Sequence, residues 1–190
     1  MPSTSLRNRL AVDAPDHQGK VWSPTAKLAA SNRLRSVIDD ETGLRAVSEA
    51  TAETVLEIMD AKSVSIILLD DRGCRDLVNV GQLAPGEYRF PEDEAYPAGC
   101  YPAATTRLLA GEWYVSIGSG LDLLRKYGEL TPEQNIGSVL GVPVMYGGEV
   151  WGEIFMLRGT QAAEFTTEDL QVARDLATQF GMGLPQLLRA

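Results

Sequence analysis

Histidine is nearly missing from this chain: His17 is the only one, in a polar stretch between Pro15 and Gly19. Serine–histidine and cysteine–histidine dyads inside the folded part are excluded unless that stretch folds back. Histidine-held zinc and haem sites in the core are excluded in the same way. Cysteine is almost as scarce. Cys74 and Cys100 make no disulfide framework, and a reduced, cytoplasmic compartment is the expectation. No apolar run approaches the roughly 18–20 residues of a bilayer span, so no membrane partner is expected. The opening MPSTSLRNRLAVDAPDHQGK lacks an apolar core and does not read as a signal peptide. Basic residues are outnumbered, 17 Lys and Arg against 26 Asp and Glu, for a net charge of −9. That balance argues against a nucleic-acid partner, which needs a basic face. The acids are spread along the chain, as on a solvated surface.

What is present is an ordinary globular composition, 44% hydrophobic over 190 residues, enough for one domain with a real core. Residues 1–22 are polar, broken by prolines and without periodicity, and read as a flexible arm. Residues 23–39 read as an extra N-terminal helix, opened by Ser23-Pro24 as cap and first-turn proline. Residues 40–190 read as the domain itself. It begins with a helix over about 41–59 whose apolar stripe includes Leu44, Val47, Val55, Ile58 and Met59.

SVSIILL at 63–69 is a β-branched strand, and Asp-Asp-Arg-Gly at 70–73 turns it back into a second strand at 74–80. Residues 92–104, EDEAYPAGCYPAA, form a loop leading to a helix at about 103–110 with Gly111 after its end. WYVSI at 113–117 is a strand, and short helices follow at 121–127 and after Thr131-Pro132. IGSVLGVPVMYGGEVWGEIFMLR at 136–158 is a hairpin turning at Gly147-Gly148. Both of its strands are apolar at almost every position, which predicts a sheet covered on both faces. Thr166 and Asp169 have capping-box spacing at the start of a last helix, which Pro185 kinks or ends.

VPVMYGGEVWGEIFMLR, FTTEDLQVARDLATQFGMGL and the first helix followed by SVSIILLDDRG together resemble the GAF domain family of small-molecule sensor modules, over about 41–188. The resemblance implies an α+β, PAS-related fold. Its six-stranded antiparallel sheet carries the N- and C-terminal helices on one face and loops and short helices over the other. It places a ligand pocket under residues 88–122 and the inward positions of 136–140. It also implies a homodimer through the terminal helices, and output through that dimer or a protein partner. The candidate ligand-binding residues are Tyr88, Tyr96, Cys100, Tyr101, Tyr114, Ser116, Asp122 and Ser138. Aromatics with a few hydroxyls suit an apolar pocket with polar anchors, although the tyrosines equally suit a lid on the core. Asp122 next to Gly120 suits either a cationic anchor or a helix cap.

No cofactor is expected. Bilin-binding relatives need a cysteine, typically beside a histidine, before the late hairpin, and 121–135 has neither. Haem-binding relatives need a pocket histidine, and the cyclic-nucleotide signature of the family is missing. No metal site is expected, since Glu92-Asp93-Glu94 reads as a solvated loop. The main expectation is a non-enzymatic sensor. A thiol-dependent reductase of the free methionine sulfoxide type, using Cys100 with Cys74, is one alternative, and a pocketless dimerisation module is another.

Overall fold

The computed structural model describes residues 22–40, 43–70, 73–83, 85–91, 95–97, 101–117 and 136–188. Within them the chain runs α1 (Pro24–Asp40), α2 (Leu44–Met59), β1 (Ser63–Asp70), β2 (Gly73–Gly81), β3 (Ala95–Tyr96), α3 (Pro102–Leu109), β4 (Tyr114–Ile117), β5 (Ile136–Tyr146), β6 (Glu149–Gly159) and α4 (Thr167–Leu187). Most of the arm with His17, the acidic triplet at 92–94, Cys100 and Asp122 lie outside the described residues, as do the short helices expected within 121–135. Among the described residues no helix is long and apolar enough to cross a membrane.

The sheet is antiparallel, in the order β3-β2-β1-β6-β5-β4. Five strands have four residues or more, and β3 adds two residues at one edge. β5 and β6 close on Gly147 and Gly148, whose φ angles of +62° and +89° are those of a type I′ turn.

Strand alternation decides which face each residue meets. Val64 and Ile66 on β1, Val78 and Val80 on β2, and Ile154 and Met156 on β6 are buried against the helices. There they meet Val47, Val55 and Met59 of α2 and Leu176, Phe180 and Leu184 of α4. Trp151 meets Phe180 edge-on, ring centroids 5.7 Å apart. Helix α1 packs on α2 and α4 through Ala30, Leu34 and Ile38, spaced one turn apart. The opposite face carries a smaller cluster of Ala104, Leu108, Tyr114 and Val139 under α3.

Three local features sharpen or correct the sequence reading. Helix α3 begins at Pro102, with proline in its first turn. Helix α4 continues through Pro185 to Leu187, because a proline in the last turn removes one hydrogen bond and leaves the packed face intact. Trp22, the last residue of the stretch read as an arm, is buried at 6% exposure, and its indole N–H donates to Asp169 at 2.8 Å.

Candidate functional site

The face of the sheet turned away from α1, α2 and α4 holds a cavity of about 320 Å³, roofed in part by α3. Its floor is a lattice of cross-strand rows. One row runs Asn79–Ser65–Phe155–Gly141–Tyr114 across β2, β1, β6, β5 and β4. The neighbouring row runs Asp76–Ile67–Glu153, and a third begins Ser63–Leu157. Asp76 and Asn79 are three residues apart yet share this face. A β-bulge in β2, where the register shifts between Ile66 and Ile67, leaves Leu77 unpaired and packs it on the helix side.

Glu153 is the only charged residue in the apolar run Val150–Leu157, and it is 3% exposed. Tyr114, equally buried, donates its hydroxyl to the Glu153 carboxyl. The two side chains lie over Gly141, where a Cβ would overlap both the tyrosine ring and Glu153 Oε1. Burial pushes the Glu153 carboxyl up to about 8. The Tyr114 hydrogen bond pulls the other way, and the charge of Asp76 adds to the rise. Burial first, then the Glu153 charge, raises the Tyr114 hydroxyl well above its ordinary value. Among the described residues, Glu153 Oε1 has no hydrogen-bond partner, and neither does Asn79 Oδ1, whose amide nitrogen is committed to the Tyr88 carbonyl at 3.1 Å. Both orphaned atoms lie on one cavity wall: Asn79 Oδ1 is an acceptor, and Glu153 Oε1 becomes one when its carboxyl ionises. Among the described residues, no three histidine, cysteine or acidic side chains gather into a metal-type cluster.

Gly141→Ala is expected to destabilise the fold by about 1–3 kcal/mol, the usual result of forcing a methyl into a filled site. Urea unfolding measures it. A midpoint equal to wild type would show that Tyr114 and Glu153 do not need the missing Cβ.

Of the residues singled out from sequence, Tyr101 and Tyr114 line the cavity, and so does Cys74. Ser116 is buried on the same face but is not part of the wall. Tyr88 is 66% exposed and contributes only its carbonyl. The backbone of Tyr96 pairs with Cys74. Ser138 faces the other way, accepting the Phe165 N–H at 3.3 Å. A register shift between Ile136 and Ser138 puts these two residues on opposite faces, so simple alternation from Ile136 fails there. Among the described residues, the wall is built more from β1, β2 and β6 than from residues 88–122. Sequence reasoning missed Asp76, Asn79 and Glu153; only the lone carboxylate in an apolar strand was a visible signal.

The fold is an α+β domain, an antiparallel sheet with helices on one face and a polar-floored cavity on the other. The GAF domain family model matches residues 41–184, and the chain belongs to that family, whose members are sensory and regulatory. The GAF domain of an Acinetobacter phosphoenolpyruvate-protein phosphotransferase superposes with a TM-score of 0.65 at 19% identity, covering 89% of this chain and 98% of that one. The chromophore-binding domain of Stigmatella aurantiaca bacteriophytochrome gives 0.62 at 16% identity, covering 84% of this chain and 60% of that one. A far-red-absorbing protein with bound biliverdin IXa gives 0.64 at 15% identity, covering 84% and 99%. No curated protein matches the sequence significantly.

Proposed function

We propose that this chain is a ligand-binding GAF sensor, taking a small organic molecule into the cavity between the sheet and α3. It would signal through a helix-mediated dimer or a protein partner. The observation that carries the reading is the cavity of about 320 Å³ with two orphaned, buried side-chain oxygens on its wall. An unpaired buried polar atom costs roughly 1–3 kcal/mol, which a ligand donor recovers. The volume lies at the small end of ligand pockets, roughly 300–1,000 Å³. The biliverdin-bound neighbour shares the fold at 15% identity, and that likeness carries no ligand with it. Leu28 on α1 and Met182 on α4 are both more than half exposed, in keeping with a contact surface on the outer helices.

Native mass spectrometry of the protein as purified tests ligand and dimer together. A bound small molecule lost on denaturation is the expected result, whereas a dimer without ligand would favour the pocketless dimerisation module. A bare monomer at every concentration would remove this reading. The reductase reading has one point in its favour, the place of Cys74 on the cavity wall. Methionine sulfoxide reduction that disappears in Cys74→Ser would support it, and unchanged activity would dismiss it.

A further inference from the structure

We propose that the cavity recognises a protonated amine on a small apolar body, with the ammonium held on the Glu153 side of the floor between Glu153 and Asp76. This rests on the ligand-binding reading above and assigns the chemical class of the ligand.

Among the described residues, the two atoms that lack partners on this wall are Asn79 Oδ1, an acceptor, and Glu153 Oε1, an acceptor once its carboxyl ionises. What they require is a donor. Asn79 cannot turn its amide to serve itself without giving up the Tyr88 carbonyl. The ionisable side chains point the same way: among the described residues the wall carries the acids Asp76, Glu87 and Glu153 and one basic residue, Lys62. An anion entering would meet an acidic wall, whereas a cation would relieve it. Asp76 and Glu153 flank Ile67 in one cross-strand row, so they stand two strand spacings apart, roughly 10 Å between backbones. An ammonium has three donors and no acceptor, the complement of this floor. The remaining wall suits an apolar body, with Ile67, Leu108, Phe155 and Leu157 around it.

Binding of a cation requires the carboxylate form of Glu153, so it must displace a proton while the free group titrates near 8. Among the described residues, the ionisable groups acting on that carboxyl are Tyr114 from β4 and Asp76 from β2; Cys74 from β2 and Tyr101 ahead of α3 act on Tyr114, and Lys62 and Glu87 lie elsewhere on the wall. Amine affinity therefore rises with pH from 6 to 8, approaching about tenfold per unit, and then levels.

The test is a titration of the full chain, followed by NMR, with butylamine, 2-phenylethylamine and tyramine. The alcohol and the carboxylate of each carbon skeleton serve as neutral and anionic controls. At least one amine is expected to bind about tenfold or more tighter than its controls, with the rising pH profile. Glu153→Gln should remove most of that advantage while leaving alcohol binding unchanged, and Asp76→Asn should weaken the amine alone. Alcohols or carboxylates binding as tightly as amines, or amine affinity indifferent to both substitutions, overturns the amine assignment and leaves the cavity as a ligand site. No perturbation of any wall resonance by any compound at millimolar concentration overturns the ligand-binding reading itself.

Discussion

Glu153→Gln is expected to make the ligand-free protein more stable above pH 8 and to leave its stability nearly unchanged near pH 4. The Glu153 carboxyl titrates at about 8 in the folded chain, against 4.5 as its ordinary value. Its folded pKa is raised, so the folded state binds the proton more tightly than the unfolded state does. The stability this supplies is complete below the unfolded value and is lost as pH rises through the folded one. The slope in between is about −1.4 kcal/mol per pH unit, which amounts to a loss on the order of 5 kcal/mol over the whole window. Glutamine mimics the protonated carboxyl in shape and stays neutral, so the variant escapes the loss. The measurement is urea unfolding of both proteins at intervals from pH 4 to 9. The difference between them should grow through this range and level above about 8. Parallel profiles would mean that Glu153 is ionised in the folded state at neutral pH and that its carboxylate is satisfied.

The fold was legible in the sequence because its signals are local. Gly147-Gly148 between two apolar runs has one good solution, a tight hairpin, and Thr166 with Asp169 closes its own capping box. The stripe of Leu34 and Ile38 on α1, and that of Val47, Val55 and Ile58 on α2, can be buried only as helix faces. The candidate site was less legible, because its wall depends on register. Bulges at Leu77 and Gly137 each shift the alternation by one residue. One brings Asp76 and Asn79 to a common face, and the other turns Ser138 away from the cavity. Neither bulge has a sequence signature that separates it from regular strand. Trp22 was misjudged for a related reason: the stretch before it is polar, and its partner Asp169 lies 147 residues away.

Strand β6 carries two buried ionisable side chains, on opposite faces. Glu153 looks into the cavity, and Arg158, five residues on, looks toward the helices. Arg158 is 3% exposed, and its ion-pair partner Asp169 is fully buried. One guanidinium nitrogen meets Asp169 Oδ2 at 2.9 Å and the Glu164 carbonyl at 3.1 Å, while the other donates to the Met59 carbonyl at the end of α2. The Phe165 ring lies 4.2 Å from the guanidinium carbon. Asp169 accepts in turn from the Trp22 indole and from the Thr166 N–H at 3.0 Å. A single group thus ties the C-terminus of α2, the N-terminus of α4 and the approach to α1 to the end of β6, with the helix dipoles favouring each charge where it sits.

Arg158→Met is therefore expected to cost about 3–5 kcal/mol, the usual result of removing one partner of a buried pair and leaving the other charge uncompensated. Trp22→Phe keeps most of the apolar surface and loses the indole donor to a charged acceptor, so it should cost less, about 1.5–3 kcal/mol. The double variant Arg158→Met/Asp169→Asn separates two explanations. If the cost is mainly the stranded carboxylate, the double variant should recover part of the loss. If Arg158 acts chiefly as the donor to the Met59, Ala163 and Glu164 carbonyls, removing the Asp169 charge as well should recover nothing. Urea unfolding of the four proteins decides between them. An Arg158→Met midpoint within about 1 kcal/mol of wild type, the scale of an exposed pair, would show that these helix ends hold together without the guanidinium.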